Sequence, residues 1–238
     1  MPHFPFLRLQ ADLANLIAST PAGNRLPSEP DLAKQMGVSR ATLREAMRTF
    51  ETQGLIRRRQ GSGTFVVGKP VVIQSGLEVL ESLLTLARRT KLDVMPGVVN
   101  VEEISADAEV ASALGVAVGA PLVHVSRVMY ADSRPVAYLI DILPADVLQP
   151  DELTGKFDGS VLDYLLHRGD PLTVSRADIG AIDAVADVAK MLEVQRGDVL
   201  LQFVATLYTA SGKAVDYSYS YFLPGYFRFH IVRRVGSA

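Results

Sequence analysis

Cysteine is absent from this 238-residue chain, which excludes disulfide scaffolds and thiolate metal sites. The four histidines, at positions 3, 124, 167 and 230, stand apart with no HxH or HExxH spacing. Nothing therefore gathers metal ligands, and neither a metal nor a cofactor is expected. No GxGxxG follows a strand pattern, and neither GxxxxGK[ST] nor GxSxG occurs, so the common phosphate cradles and the serine nucleophile elbow are missing. With no catalytic constellation, an enzyme is not expected. No apolar run is long and charge-free enough to span a bilayer, and MPHFPFLRLQ lacks a signal-peptide pattern. The expectation is a cytoplasmic protein with no membrane partner.

What is present is an ordinary globular balance, 48% hydrophobic and 21% charged, on a chain long enough for one large or two small domains. The formal net charge of −2 hides an asymmetry. Residues 1–70 hold ten Lys/Arg against five Asp/Glu, whereas the remainder holds fourteen against twenty-one. A basic first third ahead of an acidic remainder points to a polyanionic partner for the first third alone.

Within that basic third, Leu9, Leu13, Leu16 and Ile17 share one face of a helix over roughly residues 6–19. The stretch PAGNRLPS breaks it. Ser28 then caps a second helix, with Asp31 three positions on in the manner of a capping box, and Gly37 ends it. Ser39 caps a third helix that runs to about Gln53, with Gly54 as its stop. Leu43, Ala46, Met47 and Phe50 cover about 100° of that helix, and Arg40, Arg44 and Arg48 occupy the adjoining sector. Two short helices around a glycine turn form a helix-turn-helix pattern, and an arginine-bearing third helix suits a major groove. Leu55–Arg59 and Thr64–Val67 read as strands around the loop Gln60-Gly61-Ser62-Gly63, a basic hairpin fit to lie along phosphates.

The stretch LPSEPDLAKQMGVSRATLREAMRTFETQGLIRRRQGSGTFV resembles the winged helix-turn-helix domain of the GntR family of bacterial transcriptional regulators. The features that carry the resemblance are LPSE, GVSRATLREA, the GLI before the wing, and GSGTFV. The resemblance implies operator contacts from Ser39, Arg40, Thr42 and Arg44 and from Gln60 and Gly61 of the wing. Arg48, Arg58 and Arg59 join them as candidate DNA-binding residues on charge and position. Several members of the family carry a polar residue where Pro30 stands, so one phosphate contact is expected to be missing.

In the acidic remainder, residues 69–76 read as a linker strand and about 77–90 as a helix. Residues 104–133 and 182–211 repeat one pattern at a constant offset of 78, with about eleven of thirty positions identical. Each copy reads as helix, glycine turn, strand and hairpin, followed by a return strand, Val136–Pro144 and then Ala214–Pro224. A duplicated α+β unit of this kind places a cleft between its halves, where small ligands commonly sit. Phe227–Val235 is expected to complete the sheet.

This remainder resembles the UTRA effector-binding domain of the HutC subfamily of GntR regulators, which is similar in fold to chorismate lyase. The expected architecture is therefore α+β. A winged helix-turn-helix domain (1–68) and a linker (69–76) precede a chorismate-lyase-like antiparallel sheet with flanking helices (77–238). By the same resemblance, Arg127, Ser160 and Asp216 are candidate effector contacts, with Tyr138 and Phe222 beside them. The phosphosugar-binding pattern Arg-x-Arg retains only Arg127, with Met129 at the second position, and an acidic position is Leu139. A simple sugar phosphate is therefore not expected; a less charged or more apolar effector is, for example one with a single carboxylate held by Arg127 and Ser160. Partners are double-stranded DNA, a small-molecule effector and a second copy of the chain. A repressor released from a palindromic operator by a small metabolite is the leading reading; the alternatives are an effector-independent architectural DNA binder and a lyase-like enzyme fused to a DNA-binding domain.

Overall fold

The computed structural model describes residues 3–59, 62–67, 73–90, 92–153 and 157–232. Two compact units are present, Met1–Val72 with Pro224–Tyr226, and Ile73–Leu223 with Phe227–Ala238. In the first, α1 (His3–Ser19), α2 (Glu29–Gln35) and α3 (Arg40–Thr52) precede a hairpin of β1 (Ile56–Arg59) and β2 (Gly63–Val66). Leu9, Leu13 and Ile17 recur every four residues on α1 and are buried against Leu32, Leu43, Met47 and Phe50. Helical spacing thus selects the faces that meet. Ser28 and Ser39 satisfy amide groups at the starts of α2 and α3, which otherwise have no partner inside the helix. Gly37 and Gly54 take the left-handed conformation just beyond α2 and α3, at φ +66° and +72°.

The second unit is built on a six-stranded antiparallel sheet. Its strands are β4 (Val94–Ser105), β5 (Pro121–Ala131), β6 (Arg134–Pro144), β7 (Leu172–Asp183), β8 (Val199–Thr209) and β9 (Ala214–Phe222), in the order β4-β5-β6-β9-β8-β7. Four helices accompany it: α4 (Leu83–Thr90), α5 (Ala108–Leu114), α6 (Val161–Arg168) and α7 (Ala186–Met191). The offset of 78 extends well beyond the residues whose identity betrays it. It relates α4 to α6, β4 to β7, α5 to α7 and β5 to β8, and each pair of strands, as well as α4 and α6, agrees at both ends. The copies meet where β6 pairs with β9 at the middle of the sheet.

Two sequence expectations are corrected here. The helix expected from residue 77 begins at Leu83, because Leu77 donates its backbone N–H to the His230 carbonyl at 2.9 Å and Ser82 caps the later start. The last strand is β10 (Phe227–His230), which does not join the large sheet. It pairs in parallel with β3 (Ile73–Gly76), the end of the segment read as a linker strand. Residues 233–235, included in the expected last strand, lie outside the described residues.

Candidate functional site

Two groups of polar side chains among the described residues are the candidates, and each lies within one unit. The first sits on α3 and the wing. Leu43, Ala46, Met47 and Phe50 are buried, which leaves Arg40, Thr42 and Arg44 exposed on the remaining surface. Ser39 accepts the Thr42 amide at 3.1 Å, and its hydroxyl lies 2.8 Å from that of Thr42, so both hydroxyls are fixed at the helix start. Arg48 is half-buried, with Nη1 3.6 Å from Glu45.

Strand alternation divides the wing arginines. Arg57 and Arg59 point outward, and the Arg59 guanidinium lies 5.3 Å from the centre of the Phe65 ring. Arg58 turns inward with Ile56 and is half-buried, which sets it apart from the exposed Arg57 and Arg59. Its guanidinium approaches Glu29 at 3.8 Å and Glu51 at 3.6 Å and donates to the Arg44 carbonyl at 3.3 Å. Gln60 and Gly61 lie outside the described residues.

Glu29 was not singled out in the sequence. Its carboxylate receives Arg44 Nε at 2.6 Å as well as Arg58, so one acidic side chain sets the position of an arginine from α3 and one from β1. Its place in LPSE, just after the α2 cap, was the available signal. Since Arg44 is more than half exposed, the pair contributes at most about 1 kcal/mol to stability. Glu29→Gln is expected to lower the ratio of operator to random-DNA affinity without weakening binding to random DNA. Fluorescence anisotropy on both duplexes checks this, and an unchanged ratio would remove Glu29 from positioning.

The second group is buried in the middle of the sheet. Arg127 of β5 is only 5% exposed. Its Nε donates to the Gly159 carbonyl at 2.7 Å, and its Nη1 pairs with Asp141 of β6. Asp216 of β9 is 6% exposed, and its Oδ1 has no hydrogen-bond partner. Burial pushes its carboxyl well above the usual carboxylate range. The negative charge of Asp141 adds to the rise, against the opposing pull of Arg127 and of the Ile142 amide. Ser160, next to Gly159, is buried and accepts the Asp163 amide at 3.0 Å, capping α6.

Sequence reasoning missed Asp141. A two-residue turn at Asp132-Ser133, both at positive φ, sets Ala131 opposite Arg134. Continued without interruption, that register would place Arg127 opposite Tyr138. A bulge at Met129/Tyr130 moves the pairing by one, so Arg127 faces Leu139, and Asp141 becomes its diagonal neighbour on the same side. The same shift removes Tyr138 from the site. It lies on the other side of the sheet, stacked on Tyr221 at 6.2 Å, where Tyr217 and Tyr219 donate to Glu109 of α5. Phe222 shares the Arg127 side but packs among Phe203, Phe227 and Phe229. Leu139, Ser218 and Ser220 flank the cluster and are only half-buried, so this part of the sheet is partly open.

A separate cavity of about 200 Å³ lies beside the end of α6, lined by Leu165, Arg168, Asp170, Lys213 and Val215 among others. Its cations are already matched, Arg168 by Glu152 and Asp170 and Lys213 by Asp146. At the Arg127 cluster, by contrast, no donor reaches the buried Asp216 Oδ1.

Comparison with known proteins agrees with both units. The profile of bacterial regulatory proteins of the gntR family matches residues 7–66, and that of the UTRA domain matches residues 92–228. The chain is 30% identical over 200 residues to the HTH-type transcriptional repressor NagR of Bacillus subtilis, covering 82% of this chain and 79% of that protein. It is 32% identical over 184 residues to the histidine utilization repressor of Pseudomonas aeruginosa, covering 76% and 71%. The crystal structure of PhnF from Mycobacterium smegmatis shares the fold, with a TM-score of 0.65 at 24% identity over 96% of this chain and all of that one. Two domains matched in this order, with repressors among the relatives, place the chain in the GntR family of bacterial regulatory proteins, as a DNA-binding transcriptional regulator of the HutC type with a UTRA domain and not an enzyme.

Proposed function

We propose that the protein is a homodimeric repressor that works in the cytoplasm and leaves a palindromic operator when a small molecule occupies the Arg127–Asp141–Asp216 cluster. The observation that carries this reading is the unpartnered, buried Asp216 Oδ1 in a unit whose neighbour exposes Arg40 and Arg44. One α3 and one wing touch too few base pairs for tight binding, and two copies on half-sites about one helical turn apart supply the rest. Ser39, Arg40, Thr42 and Arg44 read bases, whereas Arg57, Arg59 and the wing tip with Gln60 and Gly61 hold phosphates. A ligand that prefers one state of the dimer changes operator affinity by the same free energy with which the operator changes ligand affinity. The relatives' names, repressors in each case cited, support this direction of control.

Selection from a random duplex library tests the reading, followed by release assays against sugars, amino acids, amines, organic acids and their phosphates. An inverted repeat and at least one releasing compound are the expected results. A selected site without two-fold symmetry would overturn the homodimer on a palindrome. Tight binding that no compound alters would favour the effector-independent architectural role.

A further inference from the structure

The charges around Asp216 narrow the chemistry of the effector. Two carboxylates, Asp141 and Asp216, share one guanidinium, and Arg127 already gives Nη1 to Asp141 and Nε to the Gly159 carbonyl. An incoming carboxylate would lie beside Asp141, whose charge already offsets that of Arg127, so the guanidinium offers it no uncompensated positive charge. The carboxylate expected from the sequence therefore meets repulsion where the resemblance promised attraction. Ser160 accepts the Asp163 amide as the α6 cap and keeps its O–H to donate, but a hydroxyl supplies no charge to offset that of Asp141.

Among the described residues, the other elements on this side do not restore positive charge. From β8, Leu207 and Ala205 stand opposite Asp216 and Ser218, and neither is ionisable. From α6, Asp163 is held by Ser82 at 2.5 Å, by Thr85 and by Arg88 at 3.3 Å, so Arg88 is matched in turn. Asp158 accepts the Ser160 amide. Buried polar atoms are nearly always hydrogen-bonded, yet no donor reaches Asp216 Oδ1, in a residue only 6% exposed, and the side chain it meets is a second acid, Asp141.

Resting on the effector-switch reading, we propose that the effector places a cationic nitrogen, an ammonium or amidinium, against Asp216. Burial and the charge of Asp141 favour the protonated form of the Asp216 carboxyl before the effector arrives. The cation takes the place of that proton, which passes to solvent, and the ionised Asp216 gains a charge-assisted partner. A neutral or anionic ligand would release no proton here.

The test uses the full-length protein and two matched sets of probes: glucosamine, glucose and glucuronate, and 1,4-diaminobutane, 1,4-butanediol and succinate. Thermal shift, operator release and titration calorimetry are read together. The expected result is stabilisation by at least one amine and by neither of its neutral and anionic counterparts. Its binding heat should vary with buffer ionisation enthalpy with a slope near one proton released. Asp216→Asn, a close mimic of the protonated acid, should fold normally and abolish both the shift and the slope. Stabilisation by a carboxylate or polyol with no amine active would overturn the cationic assignment. Operator release by that compound would leave the effector switch standing. An amine shift that survives Asp216→Asn, or no shift from either amine, would also overturn the assignment.

Discussion

Arg127→Met is expected to destabilise the second unit by about 3–5 kcal/mol, because it strands Asp141 as a buried charge without its partner. For a unit of this size the calorimetric transition should fall by roughly 6–20 °C, taking about 2–4 °C per kcal/mol. Adding Asp141→Leu to Arg127→Met should recover most of the loss, since an apolar pair of similar volume no longer buries a charge. A single variant as stable as wild type would show that the ion pair is solvated and not buried.

The neighbouring acid gives this unit a pH dependence of known sign. The folded pKa of Asp216 lies above its unfolded value, so the native state binds more protons across that interval. Stability from this group is complete below the ordinary aspartate range, and it declines as pH rises through the raised native pKa. Asp216→Asn should flatten that decline, and urea unfolding at several pH values measures it.

The other large effect lies on α3. Arg40→Ala and Arg44→Ala should each weaken operator binding by about 1–3 kcal/mol, roughly 5- to 150-fold, if each reads a base edge. Arg57→Ala and Arg59→Ala should instead weaken all sequences alike and lower the salt slope by about one each. Arg58→Ala belongs to neither class, because its guanidinium is spent on Glu29, Glu51 and the Arg44 carbonyl. It should act through the position of Arg44, as Glu29→Gln does. Salt-dependent anisotropy on operator and scrambled duplexes separates the three behaviours. If Arg40, Arg57 and Arg58 variants show one common profile, the division between base reading and phosphate anchoring fails.

How much of this was legible in advance depended on the range of the interactions. The caps at Ser28 and Ser39, the buried stripe of α3 and the wing strands were read from spacing, because each is set by residues within a few positions of one another. The offset of 78 also showed, though only over 104–133 and 182–211, where both copies kept the same small and apolar residues. Strand β7 preserves the length and place of β4 with little of its sequence, since a strand tolerates many side chains so long as its backbone pairing is kept.

What the sequence determined by itself was therefore the two-domain order, the family and the residues that α3 presents, all consequences of local periodicity and compact motifs. Only the tertiary structure decided which charges meet. The bulge at Met129/Tyr130 puts Asp141 beside Arg127 and sends Tyr138 to the opposite side, and Glu29 meets Arg44 and Arg58 across gaps of fifteen residues and twenty-nine. A one-residue change of register reverses every side chain beyond it, so those meetings are fixed by pairing between strands and helices and by no single segment of the chain.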